Sequence, residues 1–120
     1  MSAFLRSFRY AAEGIAYMFR TQRNARVHAL VAISVVIAAA IFRVSSVEWA
    51  VIALAIGLVF GAEAFNSVAE LAVDLLTDQY HPMAKWAKDA AAGAVLITAL
   101  AAVGAGIAIF GPRIWGLLFD

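Results

Sequence analysis

From Ala90 to Gly111 the chain runs for 22 residues without one charged side chain. No other feature constrains the fold as strongly. Two further apolar runs precede it. The first, VHALVAISVVIAAAIF, lies between Arg26 and Arg43, and the second extends from Trp49 through Leu76. With 65% hydrophobic residues in 120, a soluble domain could not bury this much apolar surface in one core. The remaining solvent for these side chains is lipid. A single segment in lipid must satisfy its own backbone hydrogen bonds, so all three runs are expected to be helices. The sixteen residues of the first run span roughly 24 Å, and its flanking arginines can reach the headgroups of a hydrocarbon core about 30 Å thick. Small residues, including a G-x-x-x-G at Gly57 and Gly61 and the later GAGIA, permit close helix contact.

Ahead of these spans, Phe4, Leu5, Phe8, Ala11, Ala12, Ile15 and Phe19 recur at helical spacing, with Arg6, Arg9, Glu13 and Arg20 on the opposite face. That pattern predicts an amphipathic helix lying in the membrane interface. The same scattered charges leave no uninterrupted apolar core for a cleaved secretory leader. The expected architecture is an all-α membrane protein forming one unit over residues 1–120, with a surface helix over about 3–22 and transmembrane spans over about 27–42, 48–77 and 86–111. Seven basic residues (Arg6, Arg9, Arg20, Arg23, Arg26, Lys85 and Lys88) fall on one side of the membrane, and Arg43 and Arg113 fall on the other. The positive-inside rule then predicts a cytoplasmic N-terminus and an external C-terminus. Without cysteine, disulfides and thiolate metal sites are excluded.

The second span contains GAEAFNSVAELAVDLL, which places Glu63, Asn66, Glu70 and Asp74 inside an apolar run. At 100° per residue these four project at about 0°, 300°, 340° and 20°, a stripe roughly 80° wide with Ser67 at its edge. Intramembrane carboxylates normally face protein or water and mark function. Counted from Trp49, Glu63 lies about 21 Å into the helix, close to the inner leaflet's headgroups. It is the deepest of the three acids and the candidate general base. Stacked carboxylates repel unless a cation intervenes, and a hard divalent ion with oxygen ligands, such as Mg²⁺, suits them. The following TDQYHPMAKWAKDAAAG brings Lys85, Lys88 and Asp89 to the start of the third span. Lysines near a helix N-terminus can hold phosphate there. Neither a G-x-x-x-x-G-K-[ST] loop nor the protein-kinase motif set occurs, so nucleotide chemistry would need another scaffold.

Two longer stretches carry a family resemblance. EAFNSVAELAVDLLTDQYHPMAKWAKDAAAGAVL resembles the signature of the bacterial integral-membrane diacylglycerol kinases, which include undecaprenol kinases, and GIAYMFRTQRNARVH resembles that family's N-terminal block. HPMAK is closer to the undecaprenol branch. The resemblance implies a homotrimer with active sites shared between protomers at the cytoplasmic face of the bacterial inner membrane. It implies Glu63 as the base that deprotonates the lipid hydroxyl and Glu70 as a ligand of Mg²⁺ on the ATP phosphates. Lys88 and Asp89 would contact the nucleotide, with Tyr10, Tyr80 and His81 lining its site, while Asn66 and Asp74 support the carboxylates. Arg26 and a turn at Gly14 to Met18 would lie near the lipid headgroup. One position departs from the pattern: the family carries a second metal-binding glutamate where this chain has Gln22. The implied reaction is direct transfer of the γ-phosphoryl of ATP to a membrane lipid alcohol, undecaprenol ahead of diacylglycerol, with no nucleic-acid partner. A non-enzymatic bundle, conducting ions or only binding lipid, is the competing class. The outer half of the second span, WAVIALAIGLVFGA, has no acid, and a cation path would need polar groups through the whole thickness.

Overall fold

The computed structural model describes residues 2–119, which form four helices joined by short connections. Helix α1 covers Ala3–Thr21, α2 Arg23–Ile41, α3 Ser46–Leu76 and α4 Pro82–Phe119. The last three are long and apolar enough to cross a membrane. Residues 14–18, implied as a turn, lie in the middle of α1. No glycine among the described residues adopts a positive φ, so nothing at Gly14 interrupts the helix.

Each boundary has a local cause. Ser2 caps α1 by accepting from the Leu5 N–H at 3.3 Å. Only Gln22, in extended conformation, separates α1 from α2, so the chain changes direction at one residue. Beyond the elbow, the Arg26 guanidinium donates to the carbonyls of Phe19 at 3.2 Å and Arg20 at 3.1 Å, closing the free end of α1. Helix α2 ends with Arg43 at φ 50°, its N–H on the Ala40 carbonyl and the Val44 N–H on the Ala39 carbonyl. This is a Schellman ending, and the apolar residue that follows it, Val44, packs into the core. Helix α3 opens on a capping box in which Glu48 N–H donates to Ser45 Oγ at 3.2 Å and Ser45 N–H donates to Glu48 Oε2 at 2.7 Å. Pro82 starts α4, where its missing N–H would have had no helical partner.

Helices α3 and α4 run antiparallel and form the most extensive pairing, with α2 packed more lightly on α3. The pair is tied near both ends. Arg113 forms a two-pronged ion pair with Glu48, with both N–H···O distances 2.8 Å, and Lys88 meets Asp74 at 2.6 Å. Near the Glu48 end a small core gathers Ala39, Val44, Ile52 and Ile109, flanked by Phe42 and Phe110 with ring centroids 6.0 Å apart. Helix α4 continues through Pro112, and Arg113 also donates to the Ile109 carbonyl in the turn that the proline interrupts. Arg113→Ala is expected to lower the thermal midpoint in detergent, and Arg113→Lys to lower it less, because lysine lacks the planar fork. Nucleotide affinity measured on the same samples should not change.

The molecule measures 58 × 43 × 21 Å, thin in one direction. Leu54, Phe65, Leu96 and Ile97 face outward, as expected of a surface covered by hydrocarbon or by other helices. A methyl group added at Gly57 or Gly61 would touch nothing within 4 Å, so these glycines serve no close contact inside the chain.

Candidate active site

The most deeply buried large side chain among the described residues is an acid. Glu63 has no exposed surface, and neither of its carboxylate oxygens has a hydrogen-bond partner. Asn66, one turn on, is also buried, and its Oδ1 is likewise unpartnered. Ser67 Oγ is occupied by the Glu63 backbone carbonyl at 3.0 Å. The polar stripe of α3 thus points into protein at Glu63, Asn66 and Ser67. A buried carboxylate without partners is costly, and a structure retains one chiefly where its chemistry needs it.

Farther along the stripe, Glu70 Oε2 accepts a hydrogen bond from Gln22 Nε2 at 2.6 Å. The two positions that the resemblance assigned to the metal are therefore brought together, 48 residues apart in sequence. The single-residue elbow between α1 and α2 aims the Gln22 amide at α3. One carboxylate and one amide meet here, and although the amide turns its nitrogen to Glu70, both groups carry oxygens of the kind Mg²⁺ takes. Among the described residues no group of three His, Cys, Asp or Glu stands close enough to hold a metal. Mg²⁺ is ordinarily bound by one or two carboxylates together with substrate phosphates. The residues therefore fit a metal that arrives with a nucleotide, not one held by the protein alone.

The third cluster lies where α3 meets α4. Asp74, Asp78, Tyr80, His81, Lys88 and Asp89 line an open pocket of about 470 Å³. Lys88 Nζ bonds Asp74 Oδ1, Lys85 pairs with Asp89, and His81 Nδ1 accepts the Met83 N–H at 3.1 Å. The α3–α4 connection thus gathers six of the residues singled out from the sequence: Asp74, Tyr80, His81, Lys85, Lys88 and Asp89. Tyr10 and Gly14 are not among the pocket's lining residues. They sit on α1, where the Arg9 guanidinium stands 5.4 Å from the Tyr10 ring and the space around Gly14 is open. Arg26 is engaged with the end of α1.

One residue at the site was not singled out from the sequence. His28 Nε2 stands 3.4 Å from Glu63 Oε1. It also borders an apolar cavity of about 350 Å³ that runs among α2, α3 and α4 past Val31, Val35, Ile56 and Phe60 to Phe110. A lone histidine at the start of an apolar run carries no periodic signal. Its position six residues past the elbow was the available clue.

Fold and site together describe a membrane-embedded enzyme, with an interior acid beside an apolar cavity and a lysine-bearing pocket at one end of the bundle. Comparison with known proteins makes this specific. Residues 9–110 match the model of the prokaryotic diacylglycerol kinases. The undecaprenol kinase of Bacillus subtilis (strain 168) is 43% identical over 114 residues, covering 95% of this chain and 93% of that protein. The diacylglycerol kinase of Synechocystis sp. (strain ATCC 27184 / PCC 6803 / Kazusa) is 44% identical over 113 residues, and the chain spans 65% of its length. The chain belongs to the prokaryotic diacylglycerol kinase family. It is a multi-pass membrane lipid kinase, a phosphotransferase with an alcohol acceptor and a nucleotide donor.

Proposed function

We propose that this chain transfers the γ-phosphoryl group of ATP to the hydroxyl of undecaprenol, in preference to diacylglycerol. The observation that carries the reading is Glu63, buried and without a hydrogen-bond partner, whose neighbour His28 borders a cavity shaped by hydrocarbon side chains. A lipid alcohol can lay its tail against such a surface and present its hydroxyl to the acid. The HPMAK stretch, closer to the undecaprenol branch, and a match over nearly the full length of the Bacillus undecaprenol kinase support the choice of acceptor.

In this reading Glu63 accepts the hydroxyl proton as the oxygen attacks the γ-phosphorus, and Asn66 orients the acid from one turn away. Lys88 and Lys85 hold phosphate oxygens from the α3–α4 pocket, with Asp89, Tyr80 and His81 about the rest of the nucleotide and Tyr10 closing over it. Asp74 keeps Lys88 in place until the nucleotide arrives. Glu70, with the Gln22 amide oxygen, would hold Mg²⁺, which supplies charge neutralisation on the transferring phosphoryl group when bound. Positioning and charge neutralisation are what phosphoryl transfer chiefly requires. Arg26 and the α1 segment around Gly14 face the lipid headgroup. Helix α1 lies along the inner leaflet of a bacterial cytoplasmic membrane, with the N-terminus cytoplasmic and the C-terminus outside, and three copies share their sites.

Radiolabelled ATP offered with undecaprenol, diacylglycerol and ceramide in detergent tests the acceptor. Fastest labelling of undecaprenol is expected. Faster labelling of diacylglycerol would reverse the choice, and no labelled lipid at all would remove the kinase reading for this chain.

Gln22 supplies a second test. Its N–H neutralises no charge but gives Glu70 a donor. Gln22→Glu would set two carboxylates against each other, a repulsion that a divalent cation relieves. The variant should reach half-maximal rate at lower Mg²⁺, and its thermal midpoint should rise on adding Mg²⁺ more than the parent's does. Equal responses would mean that this pair does not hold the metal.

A further inference from the structure

We infer that His28 takes the proton from Glu63 after each phosphoryl transfer and carries it out of the buried site. This rests on the reading of Glu63 as the base. A base that gains a proton in every turnover must lose it before the next, and once the site has closed behind the departing product Glu63 has no exposed surface from which water could take it. Among the described residues the only basic group within 4 Å of its carboxylate is His28 Nε2, at 3.4 Å from Oε1. The His28 side chain is itself 23% exposed. It borders a cleft of about 310 Å³ together with Asn24, Asn66, Val95 and Leu96. The imidazole therefore touches the buried acid on one side and accessible space on the other. An imidazole can accept a proton at one nitrogen and release one from the other, which a carboxylate sealed in protein cannot do alone.

The surroundings leave His28 as the available acceptor. Glu70, the next acid along α3, is held by Gln22 from the end of α1. From α4 the cleft receives only Ala92, Val95, Leu96 and Ala99, none of which titrates. Serine Oγ at position 67 is committed to a backbone carbonyl.

The steps balance as follows. A lone pair of the lipid oxygen forms the new O–P bond, and the bond from phosphorus to the β–γ bridging oxygen breaks with its electron pair leaving on ADP. The hydroxyl proton goes to a Glu63 oxygen. It then passes from Glu63 to the Nε2 lone pair of neutral His28, restoring the carboxylate and leaving an imidazolium. The imidazolium releases its Nδ1 proton to water in the cleft, and exchange of the remaining Nε2 proton back to Nδ1 through that water restores the starting tautomer. His28 acts through Glu63 and touches no reacting atom, so it positions and resets the base.

Rapid-quench measurement of the first turnover and of the steady state, on His28→Gln in detergent with ATP and lipid alcohol, separates the possibilities. The first turnover should stay near the parent rate, while steady-state kcat falls about 10- to 100-fold, the size typical of losing a partner that acts through another residue. KM for ATP should not change. His28→Ala should show the same burst, and free imidazole should raise its steady-state rate but not that of His28→Gln. A steady-state rate for His28→Gln equal to the parent's, or first-turnover and steady-state rates that fall together, would overturn the relay. If Glu63→Gln keeps a normal first turnover, the base reading fails instead. If Glu63→Gln is inactive and His28→Gln is fully active, only the relay fails.

Discussion

Glu63→Gln is expected to lower turnover by at least about 10³-fold, within the range lost when a general base is removed. The amide matches the acid in shape but cannot accept the lipid's proton. Because the parent buries a carboxylate without a hydrogen-bond partner, the neutral amide should fold at least as stably, and its thermal midpoint should equal or exceed the parent's. Nucleotide binding, read by titration with a fluorescent ATP analogue, and the size of the detergent complex should be unchanged. Loss of stability together with activity would mean that Glu63 serves the fold. Activity retained within a few-fold would remove it as the base.

Lys88→Met carries the second-largest effect. Lys88 is exposed enough to turn toward a nucleotide, and Asp74, its partner at 2.6 Å, fixes where it starts. Removing one donor aimed at developing phosphate charge costs about 10²–10³ in rate. The loss should fall on kcat/KM for ATP and leave KM for the lipid alone, and Lys88→Arg should recover part of it. The salt bridge to Asp74 offers a competing account in which Lys88 only ties α3 to α4. In that case Asp74→Asn would be as damaging as Lys88→Met, and the thermal midpoint would fall in both. A kcat/KM for Lys88→Met within threefold of the parent would exclude Lys88 from phosphate binding.

What was legible in the sequence was whatever repeats with the helix. The stripe of Glu63, Asn66, Glu70 and Asp74 could be drawn from a 100° step alone, and the three apolar helices followed from the lack of any other solvent for their side chains. The lysines after the second run were legible because the α3–α4 connection is short, which keeps Lys88 near Asp74. Contacts between distant segments were not. Nothing in the spacing pairs Glu48 with Arg113, 65 residues later. Arg26 illustrates a different limit: its hydrogen bonds to the Phe19 and Arg20 carbonyls could not be read from the sequence, because those carbonyls become free only where the elbow forms. His28 escaped because one imidazole among valines and alanines has no period to betray it. Gln22 was noticed as a departure, but that its amide donates to Glu70 depends on the turn at its own backbone.

The two ties between α3 and α4 are unequal. At one end stand a forked arginine pair, partly shielded, and a packed cluster of aliphatic and aromatic side chains. At the other stands one lysine–aspartate pair, more open to solvent. The short connection between Leu76 and Pro82 joins the helices at that second end, so they cannot part there as open tips would. What is loose at the pocket is the lysine head itself: one exposed ion pair is easily exchanged for another anion, whereas the shielded fork at the far end is not.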